Sequence, residues 1–303
     1  MKKPDFFVVG APKCGTTAMC RYLDQHPSAY ICKPKEPHFF GSLPGEHTSA
    51  NNLQEYLALF EPAGDRLAGD GSTSYLFTES AASEIFEFNP QAKIIIMLRE
   101  PVDLLHAWHS EMVYMNYENA DDFGQALQLE PERRSGKRIP QRCRSSRFLY
   151  YSEIVKFSKH VHRYQTLFGR DRVHIIIFDD FKQDNRGAVQ KTLEFLELDP
   201  NLEIQFDVIN PNKVVVNKTL YKLLPGNLKR LRSLCQNLLP TSLFKPLLYS
   251  YTQYKKIIVE SSTQTAPRPP LAPALKQHLK QEFAPEIKNL SDLLERDLSC
   301  WES

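Results

Sequence analysis

Several things are scarce in this 303-residue chain, and each absence excludes something. No apolar run approaches the ~18 residues of a membrane span, which argues against stable membrane insertion. Neither sign of charge dominates. Lys and Arg number 38 against 36 Asp and Glu, a net charge of +2, so a nucleic-acid partner is not expected and any basic site must be local. The six cysteines show no C-x-x-C spacing. Met1 to Asp5 runs straight into an apolar segment, with no room for a signal peptide, so the thiols are expected to be reduced and the protein cytoplasmic. No internal repeat or low-complexity tract interrupts a composition ordinary for a globular protein, and the length suits one large α/β domain with appendages.

What is present begins with Phe6-Phe7-Val8-Val9, a short apolar run that feeds Gly10-Ala11-Pro12-Lys13-Cys14-Gly15-Thr16-Thr17. A buried strand, a glycine-bounded loop and a hydroxyl-rich helix start make an anion cradle, with backbone N–H groups and the helix N-terminus aimed at a phosphate. A nucleotide kinase loop needs Lys directly after the second glycine and then Ser/Thr for magnesium. Here Thr16 follows Gly15, and the lysine stands earlier, at Lys13. The loop is suited to a phosphate and offers one cation, but it is not built for metal-bound ATP. Cys14 within it reads as a small residue facing the core.

Further along, Ala29-Tyr30-Ile31 predicts a second strand, and Lys33-Pro34-Lys35-Glu36-Pro37-His38-Phe39-Phe40 a stiff extended segment held out of helix by its two prolines. A loop with one short helix is expected over 41–66, and a polar turn at Gly69 to Tyr75. Lys93 to Leu98 is a continuous buried strand, followed by Arg99-Glu100-Pro101 and a helix over 102–114. Residues 116–147 read as a polar connection whose basic run (Arg133, Arg134, Lys137, Arg138, Arg142, Arg144, Arg147) is solvated, with Arg142, Arg144 and Arg147 the candidates to cover a nucleotide or grip an acidic acceptor. Ile154, Phe157, Val161, Tyr164 and Phe168 predict an amphipathic helix, Val173 to Phe178 another buried strand, and Val189, Leu193 and Leu196 a further helix. Residues 218–258 should hold helices that pack on the core. Thr265 to Pro270 reads as a stiff linker, and the closing helical segment from Leu275 to Leu294 should restart or kink at Pro285. Strands alternating with helices imply a parallel sheet covered on both faces. Ligands in such sheets bind beyond the strands' carboxyl ends, where Lys13, Glu36 and Arg99 lie. An arginine after strand 93–98, where a kinase would place a magnesium-binding aspartate, suits a second phosphate.

At this point the chain resembles sulfotransferases that use 3′-phosphoadenosine 5′-phosphosulfate (PAPS), in particular bacterial-type members similar to heparan sulfate and carbohydrate sulfotransferases. Residues 10–17 resemble their 5′-phosphosulfate loop, Leu98 to Asp103 their 3′-phosphate motif, and Lys35 to Phe40 the segment with the catalytic glutamate. Counterparts of Gly69 to Leu76, Val173 to Phe181 and Asp297 to Trp301 extend the likeness over roughly 5–215 and the C-terminal tail. The resemblance implies a P-loop-like α/β domain spanning 1–303, with a PAPS-binding core over 1–215 and a helical C-terminal extension over 216–303. It implies in-line transfer of a sulfonate to a hydroxyl, or an amine, of a small-molecule specialised metabolite or carbohydrate, leaving 3′,5′-phosphoadenosine (PAP) and needing no metal. Glu36 would be the general base, with Lys13 and His38 assisting. Lys13, Cys14, Gly15, Thr16, Thr17, Arg99, Ala107 and Lys213 would lie at the nucleotide, and Lys35, His38 and His109 at the acceptor. Two positions depart from the family: Gly71 stands where many heparan-type members carry a catalytic lysine, and Ala107 where a 3′-phosphate serine is usual, with Ser110 one turn away. An ATP-dependent kinase and a non-catalytic PAP-binding relic are the rival readings. Sequence leaves the acceptor, O- or N-sulfonation and the oligomeric state open, although the apolar C-terminal helices have faces on which a homo-oligomer could form.

Overall fold

The apolar runs become the strands of one sheet because burial removes their side chains from water. We describe the protein from a computed structural model, which defines residues 1–42, 48–206, 213–215, 250, 253–254, 257–258 and 261–302. Strands β1 (Phe6–Gly10), β2 (Ala29–Ile31), β3 (Leu67–Asp70), β4 (Lys93–Leu98) and β5 (Val173–Ile177) form a parallel sheet in the order β2-β3-β1-β4-β5. Every residue of β1 is buried, as a central parallel strand requires. The chain goes from β1 outward to β2, returns through β3, then crosses to the far side of β1 for β4 and β5. The loops after β1 and β4 therefore part at a switch point, the place where an open α/β sheet makes its binding crevice.

Helices cover both faces. They are α1 (Thr16–Leu23), α2 (Leu53–Ala58), α3 (Ala81–Phe88), α4 (Pro101–Tyr114), α5 (Phe123–Gln128), α6 (Glu130–Arg134), α7 (Tyr151–Ile154), α8 (Phe157–Phe168), α9 (Phe178–Gln183), α10 (Asn185–Phe195) and α11 (Pro273–Leu294). The amphipathic helix predicted from Ile154 is divided, so Ile154 belongs to the separate turn α7 and α8 begins at Phe157. Helix α4 starts where the sequence places it. Pro101 takes the first turn, and the Glu100 carboxylate caps the N–H groups of Val102 and Asp103. Glu100 is thereby committed to the helix rather than to Arg99.

Two expectations are corrected. Of the two expectations for Pro285, a restart or a kink, the restart is overturned: α11 runs from Pro273 through Leu294 with Pro285 inside it. A proline removes its own backbone donor, and here buried Leu279, Phe283, Ile287 and Leu290 hold the helix against its neighbours on both sides of that gap. The connection 116–147 is not simply a solvated loop, since it contains α5 and α6 and a fully buried ion pair. The helices expected over 218–258 lie almost wholly outside the described residues. A short antiparallel pair, β6 (Lys213–Val215) with β7 (Thr263–Thr265), lies beyond the main sheet and approaches α4.

The buried pair joins Arg133 Nη2 to Glu118 Oε1 at 2.6 Å, with neither side chain exposed. Tyr151 donates to the other Glu118 oxygen at 2.9 Å, the N–H groups of Asn119 and Ala120 donate to Oε1, and Arg133 Nη1 donates to the Ala126 carbonyl. Breaking such a pair from one side strands a charge in the interior. Glu118→Ala is expected to cost about 3–5 kcal/mol in urea unfolding, and the double variant Glu118→Leu/Arg133→Met to recover most of that loss.

Candidate functional site

Gly15 closes the loop after β1 in the left-handed region, φ 84°, a conformation that an L side chain adopts only under strain. A Cβ there would also meet the Phe181 ring at 3.0 Å. The turn starts α1 at Thr16 beside the C-terminal edge of the sheet, with its first-turn amides unpaired within the helix. Pro12, Lys13, Gly15, Thr16 and Thr17 line one end of a cavity of about 490 Å³. Glu36 and His38, delivered by the extended segment after β2, line the same cavity, and Thr73, Ser74, Trp108, Glu111, Tyr117, Arg144, Arg147 and Phe148 complete its walls.

Glu36 is the electrostatic centre. Its carboxylate lies 2.7 Å from Lys35 Nζ and 3.3 Å from His38 Nε2, and it accepts from Thr73 Oγ1 at 3.2 Å. Burial opposes ionisation, but the Lys35 ammonium and the His38 ring outweigh it and hold the carboxyl at about 2, against an ordinary 4.5. His38 is itself fixed through Nδ1, 2.8 Å from Ser74 Oγ. Lys35 does not face the cavity as an acceptor ligand. Its ammonium is committed to Glu36 and to the Gly71 carbonyl, 3.0 Å away. The room for its stem exists because residue 71 has no side chain: a Cβ at Gly71 would meet Cys20 Sγ at 2.9 Å and Lys35 Cγ at 3.0 Å.

The segment bearing Glu36 is held from beneath by Asp70, at the end of β3 and fully buried. Tyr56 and Tyr75 donate to its Oδ2 at 2.8 and 3.0 Å, and Ser72 donates to Oδ1 through both hydroxyl and backbone N–H. Those hydroxyls are then free to accept. Ser72 Oγ takes the His38 N–H at 3.0 Å, and Tyr75 OH takes the Phe39 N–H at 2.9 Å. Rings pack around this relay, Phe39 stacking on Tyr56 with centroids 4.4 Å apart.

At the end of β4, Arg99 lies just outside the cavity lining. Its guanidinium packs over Phe178, a cavity residue, at 4.8 Å. It reaches the Lys13 carbonyl at 3.5 Å and Asp103 at 3.1 Å. The segment before α11 brings Arg268 toward it, since burial and then the charge of Arg99 lower the Arg268 pKa. Lys13 Nζ forms an ion pair with Glu111 at 3.0 Å.

Other expected site residues lie elsewhere. His109 is buried and turned away, held at 2.8 Å by the Ala120 carbonyl and packed beside Phe123 and Tyr151, so it is no acceptor ligand. Cys14 is wholly buried, its thiol against the Pro12 carbonyl and its pKa driven far up by burial, so only its backbone belongs to the loop. Ala107 is buried on α4, and Ser110 spends its hydroxyl on the His106 carbonyl one turn back. Lys213 opens β6, and nothing further is described of its side chain. Arg142 is exposed and outside the cavity, whereas Arg144 and Arg147 line it, Arg147 donating to the Gly41 carbonyl at 3.0 Å. Sequence reasoning missed Glu111 and Arg268. Glu111 had a readable signal: Trp108, Glu111, Met112 and Met115 follow helical spacing on the face of α4 that meets the cavity. Arg268, set between prolines, had none.

Comparison with known proteins identifies the family. The pattern described as "Sulfotransferase domain" matches residues 3–221. Mouse carbohydrate sulfotransferase 15 is 25% identical over 256 residues, covering 67% of this chain and 45% of the relative. The Caenorhabditis elegans bifunctional heparan sulfate N-deacetylase/N-sulfotransferase 1 is 26% identical over 171 residues, covering 54% and 19%. The chain thus spans less than half the length of these relatives. A crystal structure of a sulfotransferase from Alicyclobacillus acidocaldarius superposes with a TM-score of 0.72 at 26% identity, covering all of both chains. With the match extending from the anion loop through all five strands of the sheet, the chain belongs to the sulfotransferase-domain family.

Proposed function

We propose that this protein is a PAPS-dependent sulfotransferase that moves a sulfonate to a hydroxyl of a carbohydrate or another small acceptor, with Glu36 as general base. One observation carries the reading: the anion loop and the Glu36–His38 pair line a single cavity. The acceptor O–H gives its proton to Glu36 as its oxygen attacks sulfur. The bond from sulfur to the 5′-phosphate oxygen breaks on the opposite side, and the charge gained by that phosphate falls to Lys13 and the amides at the start of α1. Arg99, joined by Arg268, would take the 3′-phosphate. Trp108, Tyr117 and Phe148, interleaved with Arg144 and Arg147, offer ring faces and cations on the acceptor side, which suits a sugar bearing an acidic group. The names of the relatives support a carbohydrate; the cavity's size supports a small one.

A carboxylate held at about 2 stays ionised across the working range, yet it is a weak base. Lys35 thus trades basicity for a guaranteed ionised form, and the sign of its removal follows. Without that ammonium, burial is opposed chiefly by His38 and the Glu36 pKa rises. In Lys35→Met the acid limb of kcat/KM should move upward in pH, while the parent remains flat to well below the ordinary carboxylate range. Replacing the base itself, Glu36→Gln, should lower kcat by ~10²–10⁴-fold with PAP affinity little changed. Donor binding is tested by calorimetric titration with PAP, with ATP as the control and EDTA present. The expected outcome is selective PAP binding that Arg99→Ala weakens by about 10- to 100-fold, the value of a charge-assisted contact. ATP binding that needs magnesium, in place of PAP binding, would refute the reading.

A further inference from the structure

Glu111 is a carboxylate inside an anion-binding cavity, and no step proposed above uses it. It projects from α4 between Trp108 and Met112, and all three line the cavity with Lys13 and Glu36. Its Oε2 lies 3.0 Å from Lys13 Nζ, and the two side chains are about equally accessible, 33% for Lys13 and 31% for Glu111. The pairing is not forced by the chain, because the partners are 98 residues apart and sit on opposite sides of the switch point. It brings a negative charge onto the cation that the donor's 5′-phosphate would claim.

Resting on the function proposed above, we infer that Glu111 is a positioning residue that competes with the donor for Lys13 and makes transfer depend on the acceptor. While Lys13 is shared with Glu111, it neutralises only part of the charge that builds on the departing 5′-phosphate, so cleavage by adventitious water is slowed. In that side reaction the water oxygen bonds to sulfur, the sulfur–oxygen bond to the 5′-phosphate breaks, and Glu36 takes the proton, which yields sulfate and PAP. When a bound acceptor fills the aromatic wall beside Glu111, that carboxylate draws toward the acceptor and leaves Lys13 to the phosphate. A partly exposed ion pair is the right strength for this use, since a deeply buried one would cost too much to break.

The test is calorimetric PAP binding to the parent, Glu111→Gln, Lys13→Ala and the double variant, together with sulfate release from PAPS in the absence of any acceptor. Glu111→Gln should bind PAP roughly three- to fivefold tighter, as expected for the loss of a competing exposed ion pair, and should raise acceptor-free sulfate release by a similar factor. The cycle separates competition from the general field of the carboxylate. If Glu111 acts through Lys13, its replacement changes nothing in the Lys13→Ala background. Tightening that persists there, or weaker PAP binding by Glu111→Gln, overturns the inference while leaving the proposed function intact. A parent protein that fails to bind PAP overturns both.

Discussion

A carboxylate with no exposure, Asp70, fixes the geometry on which the site depends. Burial raises its pKa, and donors from Ser72, Tyr56 and Tyr75 offset that penalty. Satisfying Asp70 uses up the protons of three hydroxyls, so their lone pairs must point outward. Two of them then meet the amides of His38 and Phe39. The segment after β2 has no helix or sheet of its own to hold it, and this relay supplies the hydrogen bonds that regular structure would otherwise give. Glu36 is placed by its neighbours' amides, and those amides are placed by one buried charge at the end of the adjacent strand.

The electrostatics of the cavity follow a common plan of shared cations. Lys35 stands between Glu36 and a backbone carbonyl, Lys13 against Glu111, and Arg99 against Asp103 with its flat face on Phe178. None of these three cations is deeply buried with its partner in the manner of Arg133 and Glu118. The distinction is functional as well as energetic. A fully desolvated pair is a fixed strut, because breaking it strands a charge, whereas a partly exposed pair such as Lys13–Glu111 exchanges partners at lower cost. The strut holds the connection between α4 and α7, and the partly exposed pairs lie at or beside the cavity.

Much of this was legible in the sequence because its signals are local. Buried parallel strands read as continuous apolar runs, and β1, β4 and β5 fall where those runs fall. The glycine and hydroxyl spacing of the first loop, and the two prolines around Glu36, constrain backbone directly. What stayed hidden depends on contacts distant in sequence. A basic run gives no sign that Arg133 turns inward while Arg144 turns to the cavity, since only the buried position of Glu118 decides it. His109 carries the same local spacing as a cavity residue but lies on the other side of α4, against the Ala120 carbonyl. Pro285 is a strong local stop signal overruled by apolar packing on either side of it. Lys35 was expected at the acceptor because it adjoins Glu36, but the Gly71 carbonyl, thirty-six positions away, and the Glu36 carboxylate hold its ammonium outside the cavity lining.

Gly71 and Lys35, thirty-six positions apart, draw on the same small volume. That volume admits one lysine stem and ends beside the carboxylate of Glu36. A side chain at residue 71 would enter that volume from the end of β3, and the Lys35 stem enters it from the segment after β2. The two residues are therefore alternatives rather than independent features. A larger residue at 71 must displace the Lys35 stem, and displacing that stem also moves the cation away from Glu36.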